Sequence, residues 1–136
     1  LWEEAARAQP LSLLAVTQHG QRLVDAGRFD QALAVFDRAL VGHPRDTTLL
    51  NNRGTVLASL GRPSEAAAAF AEAIRINPEE PQAPLNYAAL LANHGRMAEA
   101  IATVREVLAH HPDEPRALAM LADFTATVPA PPVPVP

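Results

Sequence analysis

The chain holds 136 residues, enough for one domain of ordinary size, and is 49% hydrophobic but only 4% aromatic. With no cysteine it has no disulfide, thiolate metal site or cysteine nucleophile, so redox chemistry does not report the compartment. All 11 basic residues are arginine and the formal net charge is −4, so the basic footprint of a nucleic-acid binder is missing.

Alanine supplies much of the apolar count, which favours close-packed helices over a β-sandwich rich in Val, Ile, Thr and Tyr. No apolar run approaches the roughly 20 residues of a membrane-spanning helix, so membrane insertion is not expected. The start, LWEEAARAQP, is acidic and unlike a signal peptide. The first residue is not Met, and the chain reads as a piece of something longer. Cytoplasmic is the default expectation for its setting, and the all-arginine bias suggests a GC-rich bacterial genome.

Residues 1–12 open the chain as half of a helix pair. Three copies of one phrase follow: GRFDQALAVFDRALVGHP from Gly27, GRPSEAAAAFAEAIRINP from Gly61 and GRMAEAIATVREVLAHHP from Gly95. Their period is 34 residues. Pro10, Pro44, Pro78 and Pro112 keep it, as do Gly27, Gly61 and Gly95, and Ala32, Ala66 and Ala100. Trp2, Phe36 and Phe70 form an aromatic column that relaxes to Val104; Ala5, Ala39 and Ala73 form another that ends in Val107. Gly20 and Gly54 are matched by Ala88.

Each column implies a mechanical role. The glycine after a first helix lets the chain enter the left-handed region at little cost. A second helix then runs from about Phe29 to Val41 in the first copy. Its alanine stands where two helices cross, and Phe36 and Phe70 are expected to fill the space between neighbouring pairs. Proline stops the second helix by driving His43, Asn77 and His111 out of the α region. First helices show in Leu50, Leu57 and Leu60 at helical spacing, and in a third copy opened by Pro81 and Pro84. The pairs therefore occupy 13–46, 47–80 and 81–114, followed by a capping helix at 115–127. In 128–136 five prolines forbid a helix and predict an extended linker or ligand strand.

Gly54, Leu57, Gly61, Ala66, Phe70, Ala73 and Pro78, repeated at this period, resemble the tetratricopeptide repeat (TPR). The resemblance covers 1–127. It implies an all-α fold in which antiparallel helix pairs stack as a right-handed superhelix, an α-solenoid with a concave inner face. The sequence departs from the family at Val16, Leu50 and Pro84, where a large residue is usual, and at Arg53 and Tyr87, where leucine is.

The resemblance also implies a groove lined by first helices. There the chain offers Thr17, Gln18 and Gln21, then Asn51, Asn52 and Thr55, then Leu85, Asn86 and Ala89. Asn52 and Asn86 share one register and resemble the asparagine ladder of O-linked N-acetylglucosamine transferases, with Gln18 a longer third rung and Met120 breaking the row. Such amides suit the backbone of an extended peptide. They equally suit helix carbonyls or neighbouring helices, and both readings stand. The candidate peptide-binding residues are Gln18, Gln21, Asn51, Asn52, Thr55 and Asn86.

A chaperone-tail clamp wants lysines, and the chain has none. Arg28, Arg62 and Arg96 follow the three glycines and are expected to serve helix ends. No metal is expected from the five histidines, since His110 and His111 are adjacent rather than on one helix face. No G-x-S-x-G, phosphate loop or H-E-x-x-H occurs, so neither an enzyme nor a cofactor is expected. The leading expectation is a scaffold that binds a peptide or a partner helix. A substrate-recognising segment of a larger glycosyltransferase is a second. Self-assembly into a homo-oligomer through the open N-terminal half repeat is a third.

Overall fold

The computed structural model describes residues 12–127. The expected half repeat before Ser12 and the proline-rich tail at 128–136 lie outside the described residues. Among the described residues there are seven helices and no strand: α1 (Leu13–Asp25), α2 (Phe29–Gly42), α3 (Thr47–Ser59), α4 (Pro63–Ile76), α5 (Gln82–Asn93), α6 (Met97–His110) and α7 (Pro115–Thr127). The chain is an all-α helical repeat. It divides into two compact units, Leu1–Pro78 and Glu79–Pro136.

Local sequence explains where helices begin and end. Ser12 Oγ accepts from the Ala15 amide, and Asp46 Oδ1 accepts from the Leu49 amide at 2.9 Å. These side chains satisfy donors that have no partner in a first turn. Pro63 occupies the first turn of α4, where an N–H is not needed.

The three first helices close in one way. Arg28, Arg62 and Arg96 each donate a backbone N–H to the carbonyl five residues back, on Leu23, Leu57 and Leu91. The intervening Gly27, Gly61 and Gly95 stand at φ 73°, 72° and 77°. This is the paired-bond helix stop that needs a left-handed residue. His43, Asn77 and His111, each before a proline, have ψ of 65°, 86° and 76°, outside the α region, and there the second helices end.

In the first unit α1 packs on α2, α2 on α3 and α3 on α4. Ala32 and Ala66 are fully buried, as small residues at a helix crossing must be. The aromatic column has a contact the sequence did not reveal: each ring lies against the glycine of its own pair. A Cβ added to Gly20 would collide with the Phe36 ring, and one added to Gly54 with the Phe70 ring. Both rings are essentially buried, which stabilises each pair by about 1.5–3 kcal/mol relative to an exposed side chain.

In the second unit α5 packs on α6, and α7 packs on α6 and more lightly on α5. Leu85, Ala88, Leu91, Ala100, Val104, Val107 and Ala117 make one buried cluster, with Met120, Leu121 and Phe124 of α7 packed against it. Ala88 and Val104 hold the places taken by glycine and phenylalanine in the first unit.

Candidate functional site

The first helices carry the candidate site, and helix geometry decides which of their side chains reach solvent. On α1, Gln18 and Gln21 are exposed. Gln21 Nε2 donates to Asp25 Oδ1 at 2.9 Å, one turn along the same helix. Thr17 turns its hydroxyl back onto the Leu13 carbonyl at 2.7 Å.

On α3 the two adjacent asparagines differ. Asn51 is 6% exposed, the one polar residue among the described buried ones, and it is engaged within the fold. Asn52 is half-buried, and among the described residues its amide forms no hydrogen bond. Thr55 is exposed and its hydroxyl donates to the Asn51 carbonyl at 3.1 Å. Arg53, next to Asn52, is bound to Asp37 of α2 by an ion pair that joins consecutive pairs of the first unit. At 28% and 46% side-chain exposure, that bridge is worth at most about 1 kcal/mol.

In the second unit the matching positions are arranged otherwise. Leu85 is buried in the core cluster, so it does not line a groove as the sequence suggested. Asn86 Oδ1 accepts from the Arg116 guanidinium of α7 at 2.6 Å. Here the amide fastens a neighbouring helix. His111 Nε2 donates to the Glu79 carbonyl at 2.7 Å, tying the end of α6 to the start of its own unit. No cluster of metal-ligating side chains occurs among the described residues, and no helix there is long and apolar enough to cross a membrane.

Two of the three arginines after the glycines bind carboxylates in the first turn of the next helix. Arg62 binds Glu65 through two bonds of 2.9 and 2.8 Å, and Arg96 binds Glu99 through bonds of 2.9 and 2.6 Å. Hydrogen bonding to arginine holds the Glu65 and Glu99 carboxyls below their ordinary range. Arg75 does the same to Glu72. Sequence reasoning did not single out Asp37, Arg116 or Glu65. Glu65 and Glu99 stand three residues after an arginine, which was the available signal; the other two partners are distant in sequence.

Two tetratricopeptide-repeat family models match the chain, over residues 17–84 and 57–124. The chain belongs to this family. No curated protein matches the sequence. Solved structures do resemble it. The type III secretion chaperone SycD of Yersinia enterocolitica, in complex with a peptide of the translocator YopD, aligns at TM-score 0.73 and 19% identity, over 85% of this chain and 93% of that one. The first TPR domain of human RPAP3 aligns at TM-score 0.77 and 19% identity, over 87% and 93%. The second TPR domain of human RPAP3, in complex with the HSP70 peptide SGPTIEEVD, aligns at 0.71 and 18%, over 82% and 93%. At these identities the likeness is one of fold.

Proposed function

We propose that the chain is a protein-interaction module that holds an extended peptide on the first-helix faces of its first unit. The observation that carries this reading is Asn52. It lies at the register where the family resemblance implies a groove, is open to solvent in part, and among the described residues engages neither its amide donor nor its acceptor. A side-chain amide in that state can pair with both the N–H and the C=O of one peptide residue. Gln18 offers a second amide 34 positions earlier, and Thr55 and Gln21 flank them as weaker contacts. Asn51, being buried, supports the face from beneath.

Similar folds solved with peptides bound, as in SycD and RPAP3, lend this reading support. Likeness to the asparagine ladder of O-linked N-acetylglucosamine transferases rests on Asn52 in this proposal, because Asn86 is committed to Arg116. The absence of lysine argues against acidic chaperone tails as the ligand.

Selection of a displayed random-peptide library on the full chain tests the proposal. Micromolar binders are expected, and Asn52→Ala should weaken them by roughly two- to tenfold, the worth of one or two hydrogen bonds. The helical circular dichroism should stay unchanged. Equal binding by the Gln18→Ala, Asn52→Ala double variant would show that the groove is elsewhere.

A further inference from the structure

One end of the first-helix face in the first unit is built almost wholly of hydrogen-bond acceptors. Gln21 and Asp25 stand one turn apart on α1, and Thr55 and Ser59 hold the same two registers 34 positions on, on α3. All four are exposed. A hydroxyl has one proton to give. Thr55 donates its own to the Asn51 carbonyl and Ser59 to the Thr55 carbonyl, each at 3.1 Å, so both offer a partner only oxygen lone pairs. Gln21 spends one amide N–H on Asp25 Oδ1, which holds the carboxylate in place and leaves its second oxygen to accept. A single donor, the other N–H of Gln21, remains among the four side chains.

Asp25 is also badly placed for stability. It is the last residue of α1, where the helix dipole disfavours a negative charge. The same register carries neutral Ser59 on α3 and neutral Asn93 on α5. Arg22 and Arg28 flank Asp25 in sequence, yet among the described residues it makes no ion pair. An exposed carboxylate set among acceptors is complemented by a group with many donors, a positive charge and no acceptor, which describes a guanidinium or an ammonium.

We infer that this corner recognises an arginine or lysine side chain of the bound peptide, with Asp25 as the counter-charge. The inference rests on the peptide face proposed above and adds to it the charge of the ligand.

Displayed random-peptide libraries that differ only in one central residue, Arg, Gln or Glu, test it on the full chain. The Arg library should enrich over the Gln library, and the Glu library should enrich least. Asp25→Asn keeps the shape of the side chain and removes its charge. It should weaken an enriched Arg peptide by roughly two- to fivefold, the worth of one exposed ion pair, and leave the Gln version of that peptide unchanged. Asp123→Asn, at an exposed carboxylate of the second unit, should change neither. Equal enrichment of the three libraries or none, a preference for Glu, or an Arg peptide that ignores Asp25→Asn would overturn the assignment. So would equal losses in Asp25→Asn and Asp123→Asn, which would reduce the preference to overall charge. Asn52→Ala separates this inference from the reading beneath it. If Asn52→Ala weakens the binders and Asp25→Asn does not, the peptide face stands and its cationic ligand falls. If neither acts, both fall.

Discussion

The first and second units build the same helix pair from different materials. In the first, a glycine on the first helix makes room for a phenylalanine on the second, twice over: Gly20 with Phe36 and Gly54 with Phe70. In the second, Ala88 and Val104 share the corresponding places within one buried cluster. A methyl added on one helix is matched by a smaller side chain on the other. Pair geometry is thus set by the combined volume at this crossing, and neither residue alone defines it. The contrast extends to the amides. Asn52 is half-buried and its amide makes no hydrogen bond among the described residues, whereas Asn86 is used to fasten α7, so one register is put to different use in the two units.

The most severe test exchanges the two solutions. Phe70→Ala should cost about 3–5 kcal/mol, since it empties a fully packed site. Gly54→Ala should cost about 1–3 kcal/mol through collision with the ring. The double variant Gly54→Ala, Phe70→Val, which copies the second unit, should cost clearly less than the sum of its single variants. Urea unfolding followed by circular dichroism measures all of these, and strictly additive losses would mean that the two positions are independent.

Next in size are the helix stops. Alanine at Gly27, Gly61 or Gly95 meets no neighbouring atom within 4 Å, so its cost is purely that of the left-handed backbone. Each should lose about 1–2 kcal/mol, and nearly equally in the two units. A cost at Gly95 far from that at Gly61 would show that the stop is not the shared element it looks to be. Removing a cap, Asp46→Ala, should cost about 1 kcal/mol by freeing the Leu49 amide. Thermal melting of the two sets, measured side by side, ranks them.

The helix pairs were legible because their punctuation is local. A glycine needing positive φ and a proline displacing the residue before it act over one turn, and they recur at a fixed step. The meaning of Gly20 and Gly54 was not legible in that way. Their partners lie 16 residues on, across a helix crossing, and the sequence shows the columns without showing that they touch. For the same reason the contact of Phe36 and Phe70 with the glycines of their own pairs was not foreseen. Among the candidate groove residues, type and register were readable but use was not. Asn86 is spent on Arg116, an exposed residue of another helix, and Asn51 and Asn52 are neighbours separated only by the angle between successive side chains on α3.

The smallest effect concerns the arginines. Arg62 and Arg96 each find a glutamate three residues on, whereas Arg28 meets Gln31 there. Gln31→Glu should build the missing pair. The new carboxyl would be held below its unfolded-state pKa, as Arg62 holds Glu65. With the folded pKa the lower of the two, protonation favours the unfolded chain. The gain is therefore complete above the unfolded value and fades as pH falls through the folded one. All three pairs are exposed, so the change in melting temperature at neutral pH should be slight. The better reading is a carboxyl titration by NMR. There the carboxyl introduced by Gln31→Glu should titrate at a lower pH than an unpaired glutamate, and adding Arg28→Ala should abolish the difference. A titration unmoved by Arg28→Ala would mean that arginine at this register does not reach the first turn in the first pair as it does in the others.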